Sequence, residues 1–363
     1  MRLGVEAALV DGTFVPGDVD VQDGCIAALG LAGAGTGIAA PGFVDLQVNG
    51  FGGVDFLDAG PEGYARAGDA LLETGVTAYL PTFITSPEEH ILAALEVVAS
   101  LDGPGPRVLG VHLEGPFLSG ARLGVHQVEW RRDPDLELLD RLLAAGPVRL
   151  VTLAPELPGA DALVDRLVHA DVVVSLGHTD ATALEAHAAF DRGVRTVTHL
   201  FNAMRPLAHR DPGVAGAALA TPGISLQVIA DRIHVADDVL RIVLACAPDR
   251  LVLVTDAMAG AAQGDGTYVL GDVEVTVSNG VARRRDGALA GSVLTLVEAV
   301  RNLHELGAPL ELALTAASAH PAAVIGAPEL GRLAVGGRAD VVVLDDRLEL
   351  RRVLVGGEER VAG

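Results

Sequence analysis

Residues 172–204 read VVVSLGHTDATALEAHAAFDRGVRTVTHLFNAM. Two apolar, β-branched runs, VVVSLGH and VRTVTH, each end on an imidazole, His178 and His199. Between them, ATALEAHAAFDRG has the apolar spacing of an amphipathic helix. Strand, helix and strand in so short a span make one β/α unit, and such units predict a parallel sheet. Both histidines then stand at the same end of neighbouring strands.

The same rhythm extends outward in both directions. Strand-like runs end near Asn49 (GFVDLQVN), Pro81 (VTAYLP), Glu114 (VLGVHLE), Pro155 (RLVTLAP), His178, His199, Ala230 (ISLQVIA) and Asp256 (LVLVTD). Segments such as EEHILAALEVVASL and DLELLDRLLAAG fill the gaps with apolar residues three and four apart. Eight units predict an α/β fold, a (β/α)8 TIM-like barrel over residues 41–329, with a doubly wound sheet as the alternative. The stretch TYVLGDVEVTVSNGVARR reads as a β-hairpin insertion near 267–285, turning at Asn279-Gly280. Residues 1–40 read as short strands with turns at Asp11-Gly12 and Asp23-Gly24, and residues 330–363 read the same way. The two ends are expected to form one small β-sandwich domain.

Composition narrows the function. The chain has 363 residues, half of them apolar, and a formal charge of −22. That is ample for a large core, and the acidic balance argues against a nucleic-acid partner. An anionic substrate needs a local cationic pocket against this background. No stretch approaches the roughly 20 apolar residues of a membrane span, and the start MRLGVEAALVDG lacks the pattern of a signal peptide. Cys25 and Cys246 lie far apart in apolar sequence and read as buried free thiols of a reducing compartment. A cytoplasmic location is expected.

In a barrel, chemistry is carried at the C-terminal ends of the strands. Those ends offer Gln47 and Asn49, His112 and Glu114, His178, His199, and Asp256. Taken singly, a strand-end histidine is a satisfied polar group, a Glu before Gly-Pro is a turn former, and Asp256 is a helix cap. Taken together, a carboxylate and two imidazoles from three strands form a donor set for a divalent metal, and three protein ligands are the pattern of a catalytic site. His112 shares a strand face with Glu114 and either orients a ligand or packs in the barrel. His90, His169, His187, His304 and His320 fall on helical stretches and read as surface or structural groups.

The segments PGFVDLQVNG, HLEGPF, LGHTDA, THLFNAM, HRDPGVAG and LVTDAM, in that order from Pro41 to about Pro321, resemble the amidohydrolase superfamily. Within it they resemble the N-acetylglucosamine-6-phosphate deacetylase family. The resemblance implies that Glu114, His178 and His199 hold one divalent metal per subunit, zinc or else Fe, Co, Mn or Cd. It implies Asp256 as catalytic acid/base, and Val125, His126, Asn202, Ala203, Arg210, Asp231, His234, Leu289, Ala290 and Gly291 as substrate-binding residues. His126 is also a catalytic candidate, as donor to the oxyanion of a tetrahedral intermediate. Arg210 offers a planar fork suited to phosphate, whereas His209 beside it reads as a bystander. The partner implied is a small amino-sugar phosphate, and the subunits of the family pair as homodimers.

Two departures stand out. Many amidohydrolases carry His-x-His after strand one, where this chain has Gln47-Val48-Asn49. Neutral amides are poor transition-metal ligands, so a mononuclear site is expected. Arg232 stands in ADRIH where the resemblance implies glycine; it either adds cationic charge near the phosphate or points to solvent. The expected reaction is metal-dependent hydrolysis of the acetamide of N-acetylglucosamine 6-phosphate. The alternatives are the galactosamine epimer, or another small amide. A non-catalytic scaffold would have lost one of Glu114, His178, His199 and Asp256, and all four are present.

Overall fold

The computed structural model describes residues 1–33 and 35–362. Eight parallel strands follow one another around a barrel: Phe43–Val48, Val76–Ile84, Val111–Glu114, Val148–Leu153, Val173–Leu176, Thr196–Val197, Ser225–Val228 and Leu251–Leu253. They are buried on both faces, which explains their continuous apolar runs. Strand two runs past Pro81 to Ile84; the ladder with strand one is irregular there, and the Val48 N–H donates to the Thr82 hydroxyl instead. A helix follows each strand, from Pro61–Leu72 to Leu296–Glu305. The quoted stretch supplies strands five and six and the helix Ala183–Asp191 between them. That helix opens with a capping box in which Thr182 and Glu185 satisfy each other's backbone N–H groups.

Strands eight and one close the ring without a regular ladder. The Asp256 N–H donates to the Gln47 carbonyl at 2.9 Å, and the Asn49 N–H to the Ala257 carbonyl at 2.8 Å. Beneath them the Thr255 hydroxyl donates to the Asp45 carboxylate at 2.6 Å. Burial pushes the Asp45 carboxyl up to about 7 despite that bond.

Both termini build the second structure. A six-stranded sheet runs in the order Thr13–Pro16, Ala7–Val10, Ile38–Pro41, Val341–Leu344, Leu350–Val355, Glu358–Ala362. The hairpin Asp18–Gln22/Cys25–Leu31 shares with it a core that includes Val5, Val19, Ile26, Leu333 and Val341. Both Asp-Gly turns lie where the sequence puts them.

Two expectations change. The insertion is a three-stranded meander, Gly266–Leu270, Val273–Ser278 and Val281–Arg284, because Gly271-Asp272 makes a second tight turn. Asn279-Gly280 is a turn as expected, with φ of 51° and 72°, the signature of type I′. The cysteines are free but not buried: Cys25 opens a hairpin strand and is half-buried, and Cys246 ends a helix and is exposed.

Candidate active site

The strand ends converge as the barrel requires. Glu114 is the last residue of strand three, His178 and His199 lie two residues beyond strands five and six, and Asp256 three beyond strand eight. His178, His199 and Asp256 have φ of 49°, 28° and 50°, the left-handed region. Each therefore leaves the strand's alternation and turns its side chain over the barrel mouth, at a cost of about 1–3 kcal/mol per residue.

Glu114 Oε1 lies 3.1 Å from His178 Nε2 and 3.0 Å from His199 Nε2, and the two nitrogens are 3.1 Å apart. His178 Nδ1 faces the Arg122 carbonyl oxygen at 2.9 Å and must donate to it, which leaves a lone pair on Nε2. A lone pair aimed at a carboxylate oxygen is repulsive by itself and becomes favourable when one cation bonds both. Ligands of a tetrahedral ion at about 2.0–2.2 Å stand about 3.3–3.5 Å apart, so this donor set fits a divalent metal after shifts of a few tenths of an ångström.

Asp256 stands beside this set. Burial, then the charge of Glu114, pushes its carboxyl up to about 6. Asn49 Nδ2 donates to its Oδ1 at 2.8 Å. Gln47 Nε2 reaches both Asp256 Oδ1 at 3.1 Å and Glu114 Oε1 at 3.0 Å. The pair that replaces His-x-His thus presents N–H donors to two carboxylates, where a second cation would need lone pairs.

His126 is buried behind the cavity wall, with Nε2 3.8 Å from Glu114 Oε2. The Thr85 backbone N–H donates to His126 Nδ1 at 3.2 Å, so the ring proton sits on Nε2. That N–H is buried with no partner among the described residues. Burial, then the neighbouring His178, pushes the ring's pKa well below its ordinary value and keeps it neutral. A buried, unpaired, neutral donor beside a metal site is a group for a developing negative charge.

The cavity, about 340 Å³, is walled by Val125, Asn202, Ala203, His234, Leu289 and Gly291 together with the metal set and Asp256. Asp231 accepts from His234 Nδ1 at 2.6 Å and lines an adjoining cavity. Two of the expected residues lie outside the cavity lining. Ala290 is buried among Met258, Val275 and other apolar side chains of the meander, so its side chain faces away from the cavity. Arg210 is exposed in a turn closed by Ala208 and Asp211, outside the lining of this chain's own cavity. Arg232 is exposed, as the solvent alternative expects, and pairs there with Asp237 at 3.0 and 2.7 Å and with Glu305 at 3.0 Å. His112 packs inside the barrel between Thr82 and Thr152, pushed down to about 4 by burial.

The sequence reading missed Arg122, Gly124, Ile84 and Leu270 in the wall. Arg122 was findable: the chain contains no lysine, so every fixed cation is a guanidinium, and this one precedes the LGVH segment. Gly124 is required by φ of 60° and by His178 Cε1, which a Cβ there would meet at 3.3 Å.

A Glu/His/His set able to hold a divalent metal, with an adjacent carboxylate at the C-terminal mouth of a (β/α)8 barrel, is the arrangement of a metal-assisted hydrolase. The profile of the amidohydrolase family matches residues 38–360, and the chain belongs to that family. It is 38% identical to an N-acetylgalactosamine-6-phosphate deacetylase from Escherichia coli O157:H7, with 93% of each chain covered. It is 41% identical to an N-acetylglucosamine-6-phosphate deacetylase from Mus musculus, over 88% of this chain and 83% of that one. Among solved structures, the N-acetyl-D-glucosamine-6-phosphate deacetylase from Mycobacterium smegmatis, a mutant in complex with N-acetyl-D-glucosamine-6-phosphate, matches at TM-score 0.94 and 37% identity. That match covers 100% of this chain and 99% of the other.

Proposed function

We propose that this enzyme hydrolyses the acetamide of N-acetylglucosamine 6-phosphate to glucosamine 6-phosphate and acetate. The observation that carries the reading is the convergence of Glu114, His178 and His199 beside Asp256 in one cavity, with the unpaired His126 Nε2–H buried just behind its wall. A divalent ion held by the three ligands supplies Lewis acidity, activating water and polarising the amide carbonyl. Zinc suits the Glu/His/His set best, and one ion per subunit agrees with the donor role of Gln47 and Asn49.

Asp256 is placed to take a proton from the attacking water and return it to the departing nitrogen, working first as base and then as acid. Gln47 and Asn49 hold its Oδ1, which leaves Oδ2 to move the proton. His126 Nε2–H, 3.8 Å from Glu114 Oε2, is the donor available for charge gathering on the amide oxygen. Asn202, Ala203, His234 and Arg122 line the path to the sugar phosphate.

Arg210 fits this reading as a residue lent to a neighbour. It is exposed, and among the described residues no carboxylate pairs with it. In a homodimer, it would reach the partner's phosphate site and take that role there. The two free thiols support a cytoplasmic location.

A second reading, N-acetylgalactosamine 6-phosphate as substrate, is favoured by the E. coli relative, which matches over nearly its whole length. Acetate release from both sugar phosphates and both free sugars decides between them. Equal turnover of the unphosphorylated sugars would remove the phosphate from the proposal, and zinc-loaded protein that releases no acetate from any of them would overturn it.

A further inference from the structure

We infer that Asp180 is a positioning residue that couples the metal ligand His178 to the loop carrying Asn202 and Ala203. It lies two residues beyond His178, at the head of the loop after strand five. Its Oδ1 accepts from Arg122 Nε at 2.8 Å and Nη2 at 2.7 Å. Its Oδ2 accepts from Arg205 Nη2 at 2.9 Å, and its backbone carbonyl from Arg205 Nε at 2.7 Å. One carboxylate thus ties together the loops after strands three, five and six.

Each arm ends on the site. On one side, Arg122 presents the carbonyl that receives the His178 Nδ1–H. That bond sets which ring nitrogen faces Glu114, and partners of this kind typically change metal affinity or activity by about 10–100-fold. On the other side, Arg205 follows the Asn202-Ala203 segment. Its N–H donates to the Thr179 carbonyl at 3.1 Å, while the Thr179 N–H donates to the Ala203 carbonyl at 3.1 Å. Ala203 has φ of 49°, so its backbone is strained and depends on such ties.

The foundation is firm where it needs to be. Glu156 accepts from the Thr179 hydroxyl at 2.6 Å and from the Asp180 N–H at 2.7 Å, which fixes the loop that presents the carboxylate. The three side chains are about one-third exposed. A lone ion pair at that exposure would do little, but a carboxylate gripped by two forks in a network is the exception.

The inference rests on the reading of Glu114, His178 and His199 as a metal site, and the test separates the two. Zinc content of the unmodified protein is measured first, and a chain that binds none defeats the metal-site reading itself. Zinc loss to a chromophoric chelator and KM for the sugar phosphate are then compared in Asp180→Asn, which keeps the shape of the side chain. Release about tenfold faster together with a raised KM is expected. Asp211→Asn, which frees only the outer end of Arg205, should raise KM and leave zinc release unchanged. Zinc release at the unmodified rate in Asp180→Asn, or a change in KM without one in release, overturns the coupling. Arg122→Lys, which keeps the charge and the backbone carbonyl but loses the fork, should fall between the two.

Discussion

The barrel has a concavity at each end. The mouth holds the cavity of about 340 Å³. The base, between the strand starts and the terminal sheet, holds a larger groove of about 740 Å³, walled by Asp11, Asp249, Glu311, Thr315, His320 and Arg332 among others. Size would choose the groove, whereas chemistry chooses the mouth. In the groove the Thr315 hydroxyl donates to the Glu311 carbonyl, His320 Nδ1 to the Leu251 carbonyl, and Arg332 pairs with Asp11. At the mouth, Gln47 Oε1, Asn49 Oδ1, His126 Nε2 and His199 Nδ1 are buried without partners, and no such atom among the described residues lines the groove. Buried polar groups are costly when unpaired, so a cluster of them marks where a ligand completes the hydrogen bonding.

The comparison breaks most decisively at Glu114. Glu114→Gln should lose the metal and at least several kcal/mol of transition-state stabilisation, about 10⁴-fold or more in kcat/KM. Zinc content and acetate release check it together, and a variant that stayed loaded and active would mean the mouth is not the metal site.

Asp256→Asn should keep the metal and lose about 10²–10⁴-fold in kcat. The same carboxyl sets the acid side of the pH profile. Since it must be ionised to accept a proton and its pKa is raised to about 6, the rate should fall as pH drops through about 6. A bound cation would move that limb lower and never higher. An Asp256→Asn variant that keeps both the limb and the rate would place the base elsewhere.

His126→Phe removes the unpaired N–H but keeps a ring in the pocket. A loss of about 10²–10³-fold in kcat with little change in KM is expected from one oxyanion donor. A rise in KM alone would make His126 a binding group only.

The smallest effect should come from the groove. Glu311→Gln should leave kcat/KM unchanged and alter stability by no more than about 0.5 kcal/mol. A large loss of activity there would mean that the larger concavity also serves the reaction.

Much of the mouth was legible before folding, for a physical reason. Strand and helix periods are local, so the eight runs and their end residues can be counted along the chain. Imidazole and carboxylate chemistry travels with the residue, so Glu114, His178, His199 and Asp256 could be named from position and type. What failed to read depended on which way a side chain faces. Ala290 looks like lining and is packed into the meander, and the cysteines look apolar but are half-buried and exposed. Arg122 was passed over, although its guanidinium pairs with Asp180 and its carbonyl faces His178 Nδ1.

The sequence by itself determined the barrel, the terminal sheet and the chemical identity of the groups that could hold a metal, because alternation, helical period and side-chain type are properties of short stretches. Tertiary structure alone decided that Gln47 bridges Glu114 and Asp256 as a donor, that His126 carries its proton on Nε2, and that Arg210 stays outside its own chain's cavity. Each of these turns on groups far apart in the chain, Gln47 and Asp256 being 209 residues apart. Hydrogen-bond direction is set by the partner that folding delivers, and no local pattern encodes it.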